Sequence, residues 1–137
     1  MTEIEAKKKY LKSYTKKREK LKSLEDQLQS LMEISRSAKA QSISDMPKGN
    51  AQTDLSDIMV RQEELFTKII RLKSECQQIM LNIENGIADM EDGIESAIMY
   101  KKYIKGEQFE DICVDIGYSW RQTHRYHGNA LRHFNMP

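Results

Sequence analysis

The stretch that decides the fold is QFEDICVDIGYSWRQTHRYHGNALRHF, residues 108–134. Phe109, Ile112, Cys113 and Ile116 stand at i, i+3, i+4 and i+7, which predicts one apolar face on a helix of about nine residues. Gly117 follows, where a helix is commonly stopped by a left-handed residue and glycine is favoured. Two residues further on, Ser119-Trp120-Arg121-Gln122 has the form of a capping box. The Ser119 hydroxyl is placed to take the Gln122 amide, and the Gln122 side chain to reach back. A second helix is therefore expected at Ser119, almost as soon as the first ends. This spacing predicts a helix-turn-helix.

On the second helix, Thr123, Tyr126, Ala130 and Phe134 share one face with Leu131 beside it, and they are expected to pack on Phe109, Ile112 and Ile116. The opposite face carries Trp120, Arg121, His124, Arg125 and Arg132. A recognition helix presents its N-terminal residues to base edges in the major groove of duplex DNA. Arginine suits guanine O6 and N7, and glutamine suits adenine. Arg121 and Arg125, one turn apart, are the expected base readers, with Gln122 and Trp120 as contributors. Ser119, His124, Arg132 and Lys105 are the candidate phosphate contacts.

Charge is distributed to match. Residues 118–137 carry three Arg and no acid, residues 41–117 carry 8 basic and 15 acidic side chains, and residues 1–40 carry 11 and 6. The net charge of +1 hides this division, and the acid-free C-terminal segment is the part suited to a polyanion.

Working outward, about Met90 to Tyr103 reads as a shorter helix burying Met90, Ile94, Ala97 and Ile98, ended by Lys105-Gly106. Before it, Leu55, Ile58, Gln62, Leu65, Ile69, Leu72, Cys76, Ile79 and Ile83 recur at three–four spacing. They predict a long helix with Asp54 or Ser56 as N-cap. Earlier still, Tyr10, Tyr14, Leu21, Leu24, Leu28 and Leu31 mark a similar stripe from about Glu3 to Lys39, with Lys17 interrupting it. The segment between, about 41–53, holds Met46-Pro47-Lys48-Gly49-Asn50 and reads as a loop. The expected architecture is all-α: a coiled-coil-like helical hairpin over residues 1–88, and a helix-turn-helix domain over 89–137. Stripes this narrow are not stable alone, so the hairpin is expected to oligomerise, as a homodimer.

Residues 98–131 resemble region 4, the C-terminal domain of sigma-70 factors. The likeness rests on Tyr103-Ile104-Lys105-Gly106, Phe109-Glu110-Asp111-Ile112, Gly117-Tyr118-Ser119, Arg121-Gln122 and His127-Gly128-Asn129-Ala130-Leu131. The chain as a whole is similar to small phage and prophage proteins of Gram-positive bacteria, the RinA/ArpU-type transcription activators. The Met46-Pro47…Gly49 loop followed by Asp54-Leu55-Ser56 carries part of that likeness. The resemblance implies promoter DNA binding and activation of phage genes, with RNA polymerase as a partner. It carries over to Ser119, Arg121, Gln122 and Arg125 alone. Thr123 and Tyr126 depart from it, the first standing where a larger aliphatic is usual and the second where Leu is common.

Other chemistry is set aside on the same residues. His124, His127 and His133 have no Cys or carboxylate at zinc spacing, so no metal or other cofactor is expected. No Gly-rich phosphate loop and no Ser/His/Asp arrangement appears, so an enzyme is not expected. Cys76 and Cys113 read as reduced thiols. No apolar run approaches the roughly 18 residues of a membrane span, and a cytoplasmic protein of a bacterial host is the expectation. Two alternatives stay open: a small terminase subunit recognising phage DNA for packaging, and a polymerase- or sigma-binding protein without DNA affinity.

Overall fold

The computed structural model describes the backbone of residues 2–43 and 49–137, and the side chains of 2–40 and 55–137. The fold is all-α. Among the described residues five α-helices follow in order: α1 (Glu3–Ile43), α2 (Gly49–Ala88), α3 (Gly93–Met99), α4 (Phe109–Ile116) and α5 (Trp120–His133). A π-helical turn, Tyr100–Ile104, continues α3. No described helix is long and apolar enough to cross a membrane.

Three boundaries differ from the sequence reading. Helix is present at 41–43 and 49–53, where a loop was expected, and the rest of that segment, with Met46 and Pro47, lies outside the described residues. Asp54 and Ser56 consequently lie inside α2 and do not cap it. α3 begins at Gly93, not Met90, because the Asp92 carboxylate accepts the N–H groups of Ile94 (2.9 Å) and Glu95 (3.0 Å). Such a cap satisfies donors that a helix start otherwise leaves open. At the opposite end of the chain, Thr2 and Glu5 form a reciprocal capping box, with N–H···O distances of 3.2 and 3.1 Å.

The chain divides into two compact units, residues 1–18 with 75–137, and residues 19–74. The division does not fall at residue 88: the start of α1 and the end of α2 belong with the three C-terminal helices. In that unit Leu11 and Tyr14 of α1 meet a core that includes Ile83 and Ile87 of α2 and Ile98, Met99 and Tyr103. Tyr10, expected in the seam, is only half-buried, and Leu11 takes its place. One face of α1 carries Lys7, Leu11 and Tyr14, all buried, and Arg18, exposed at its end. Its polar ends are used: Lys7 Nζ donates to the Arg132 carbonyl (3.1 Å) and Arg18 to the Ile104 carbonyl (2.9 Å). Both carbonyls close helical turns, where cationic donors are favoured.

The second unit is the α1–α2 pair alone. Leu21, Leu24, Leu28 and Leu31 of α1, and Leu55, Ile58, Leu65 and Leu72 of α2, are all half-buried; Ile69 is buried. Gln62 fits the stripe because its amide donates to the Leu31 carbonyl (3.1 Å).

Candidate nucleic-acid interface

The turn between α4 and α5 is built as its residues dictate. Gly117 sits in the left-handed region at φ 73°. Its N–H and that of Tyr118 both return to the Cys113 carbonyl, at 3.0 and 3.2 Å, closing α4 in the manner of a Schellman stop. Ser119 is extended and caps α5, its Oγ accepting the Gln122 N–H at 3.2 Å. The hydroxyl half of the expected capping box is formed, while the Gln122 side chain is exposed.

One face of α5 is sealed. Thr123, Ala130 and Leu131 are buried, and α5 packs on α3 and α4. Phe134, the first residue past the helix, is extended and fully buried. Its ring lies over Gly86, where an added Cβ would come within 2.6 Å of Phe134 Cε2. Burying such a side chain is worth about 1.5–3 kcal/mol. With Ser119 capping one end, and Lys7 and Phe134 holding the other, α5 is anchored at both ends. Tyr126, expected in the core, is half-buried at the edge, its ring 5.2 Å from that of Tyr118.

The flank towards α4 is aromatic. His124 lies 4.3 Å from the Phe109 ring and 4.4 Å from that of Trp120. Its Nε2 is enclosed without a partner, so it is withdrawn from the role of phosphate contact assigned from sequence. Trp120 is 51% exposed and edges onto Phe109, which makes it a wall of this cluster with one open side. Lys102, carried by the π turn, lies 4.6 Å over the Phe109 ring. Behind them His127 stacks on Tyr103, with the ring nitrogen Nε2 2.7 Å from the Tyr103 hydroxyl. Burial, reinforced by the charges of Lys8, His124, Lys102 and Lys12, lowers the His127 pKa to about 4. Burial also raises that of Tyr103 to about 12. Near neutral pH both are uncharged, and Tyr103 Oη and His127 Nε2 share one hydrogen bond whose direction is set by the imidazole tautomer. His133 departs in a third direction, its Nδ1 2.7 Å from the buried carboxylate of Glu95.

The opposite side of α5 is open. At 100° per residue, Arg121, Arg125, Gly128 and Arg132 fall in one row, at steps of four, three and four. All three arginines are exposed, and among the described residues none of them forms an ion pair through its guanidinium. Gln122 is exposed on the adjoining side and Ser119 at the helix start. Lys105 is exposed beyond the π turn, its Nζ 5.8 Å from the Tyr100 ring centre. The structure thus brings Arg121, Arg125 and Arg132 together and sets Trp120 roughly 100° round the helix from Arg121. Sequence reasoning did not find the partners of Lys7, Arg18, Lys102 or His127, because each acts through a residue more than 20 positions away or through the π turn.

Comparison with known protein families, curated proteins and solved structures finds no match. The site is read from its own geometry.

Proposed function

We propose that the chain is a sequence-specific duplex-DNA-binding transcription regulator that lays the start of α5 in the major groove. The observation that carries this reading is the unpaired, exposed row of Arg121, Arg125 and Arg132 on a helix whose other face is sealed. Unpaired cations on a rigid helix are already placed for an anion, so little ordering is needed at contact. Arg121 and Arg125 read guanine edges, with Gln122 and the open edge of Trp120 beside them. Ser119, Arg132 and Lys105 meet phosphates. The resemblance to phage activators adds the setting: activation of phage or prophage genes in a bacterial cytoplasm, in contact with RNA polymerase. The protein acts by binding, not as an enzyme.

The reading includes a homodimer formed through the long helices. Met59, Phe66 and Ile70 are exposed on one side of α2, beside a seam that a single partner helix leaves half-open. A dimer would read two half-sites about 34–36 Å apart, or a multiple of that.

The test is fluorescence anisotropy with duplexes selected from a random pool, titrated from about 50 to 200 mM salt, where each phosphate contact contributes about −0.9 to the log–log slope. Arg121→Ala/Arg125→Ala removes two base contacts worth about 1–3 kcal/mol each, so affinity falls at least about thirtyfold with thermal stability unchanged. Absence of binding to any duplex at low salt refutes the proposal and favours a protein partner. An assembly of eight or more subunits, in place of two, points to a packaging subunit.

A further inference from the structure

Gly128 lies in the interior of α5, between Arg125 and Arg132 on the open row. Glycine is the poorest helix former after proline, so its presence there requires a reason. Three of the other described glycines have one within the chain: Gly86 makes room for Phe134, and Gly106 and Gly117 have positive φ; Gly49 and Gly93 open α2 and α3, outside a helix interior, and need none. Gly128 has none: its φ is not positive, and a Cβ built on it meets no atom within 4 Å. Among the described residues, nothing requires position 128 to lack a side chain.

The missing methyl leaves the main chain of α5 bare at one point of a cationic row. Glycine at such a point permits close approach of another molecule to the backbone, and the flanking Arg125 and Arg132 select an anionic one. On the reading of α5 as a DNA-recognition helix, on which this inference rests, we propose that Gly128 is where the sugar–phosphate edge of the duplex lies against the helix. The close approach at Gly128 seats the helix deep enough for Arg121 and Arg125 to reach bases, while Arg132 pairs with a phosphate on the far side. Gly128 is then a positioning residue: it contributes by what it lacks.

The experiment pairs two measurements on Gly128→Ala and Gly128→Leu in the full chain. Thermal unfolding of the alanine variant is expected to rise by about 3 °C, since alanine restores helix propensity and clashes with nothing in the chain. Anisotropy on the duplex selected by the unmodified protein is expected to show about tenfold weaker binding for alanine, equivalent to about 1.4 kcal/mol. Binding is weaker again for leucine, and the salt slope falls by about one for each phosphate that the helix no longer reaches. A stabilised alanine variant that binds within twofold of the unmodified protein overturns the proposal. A destabilised one also overturns it, by showing that the chain itself needs the glycine. Failure of the unmodified protein to bind any duplex removes the DNA reading itself, and is seen before either variant is made.

Discussion

Acid should weaken this fold through one residue. His127 is held at a pKa of about 4 by burial and by the charges of Lys8, His124, Lys102 and Lys12, against 6.5 in an unfolded chain. Between those values the unfolded state binds the proton and the folded state does not, so stability rises with pH across that window. It is fully present above about pH 6.5, declines as pH falls towards 4, and levels off below. For pKa values of 6.5 and about 4, the loss between pH 7.5 and pH 5 comes to about 2 kcal/mol. Urea unfolding at the two pH values measures it, with His127→Gln as the comparison because glutamine keeps a hydrogen-bonding partner for the Tyr103 hydroxyl without titrating. The pH-dependent loss should be about 2 kcal/mol smaller in the variant. Equal losses in the two proteins, or a ring that titrates near 6.5 by nuclear magnetic resonance, would refute the argument that His127 is buried uncharged against Tyr103.

Two further outcomes follow from burial. Thr123 is fully buried and its Oγ1 has no hydrogen-bond partner, so Thr123→Val, which keeps the shape and removes the orphan hydroxyl, should stabilise the protein by about 1–2 kcal/mol in urea unfolding; a loss of stability would show that the hydroxyl is satisfied. Phe66 is 56% exposed on α2, and Phe66→Asp places a charge in the proposed dimer face, so sedimentation should show monomers with helix content retained; an unaltered dimer would put the interface elsewhere.

The helix-turn-helix was legible from local signals because its joints are local. Gly117 and Ser119 act on backbone groups two to four residues away, and the periodicity of Phe109, Ile112 and Ile116 belongs to a single helix. The long stripes predicted α1 and α2 for the same reason. The exposed arginine row was equally readable, since Arg121, Arg125 and Arg132 share a face by spacing alone.

What sequence could not reach depends on neighbours from distant parts of the chain. His124 and Arg125 look alike as polar residues on a basic helix, yet the Phe109 and Trp120 rings enclose one and leave the other free. Lys7 and Arg18 read as two more charges in a lysine-rich helix, until the carbonyls of Arg132 and Ile104 give each a partner. The π turn at 100–104 adds a residue to a helical turn, and no periodicity argument counts that. Gly86 and Gly128 have the same side chain and sit in the interiors of two helices. Only the packing of Phe134 onto one, and the empty space beside the other, separates a glycine the fold requires from one left open to a partner. By itself, then, the sequence determined the course of the helices, the Gly117 and Ser119 caps and the charged row, because hydrogen bonds and periodicity act within a few residues. Tertiary structure decided which polar side chains are buried and which are free, because burial is a property of residues that meet only once the chain has folded.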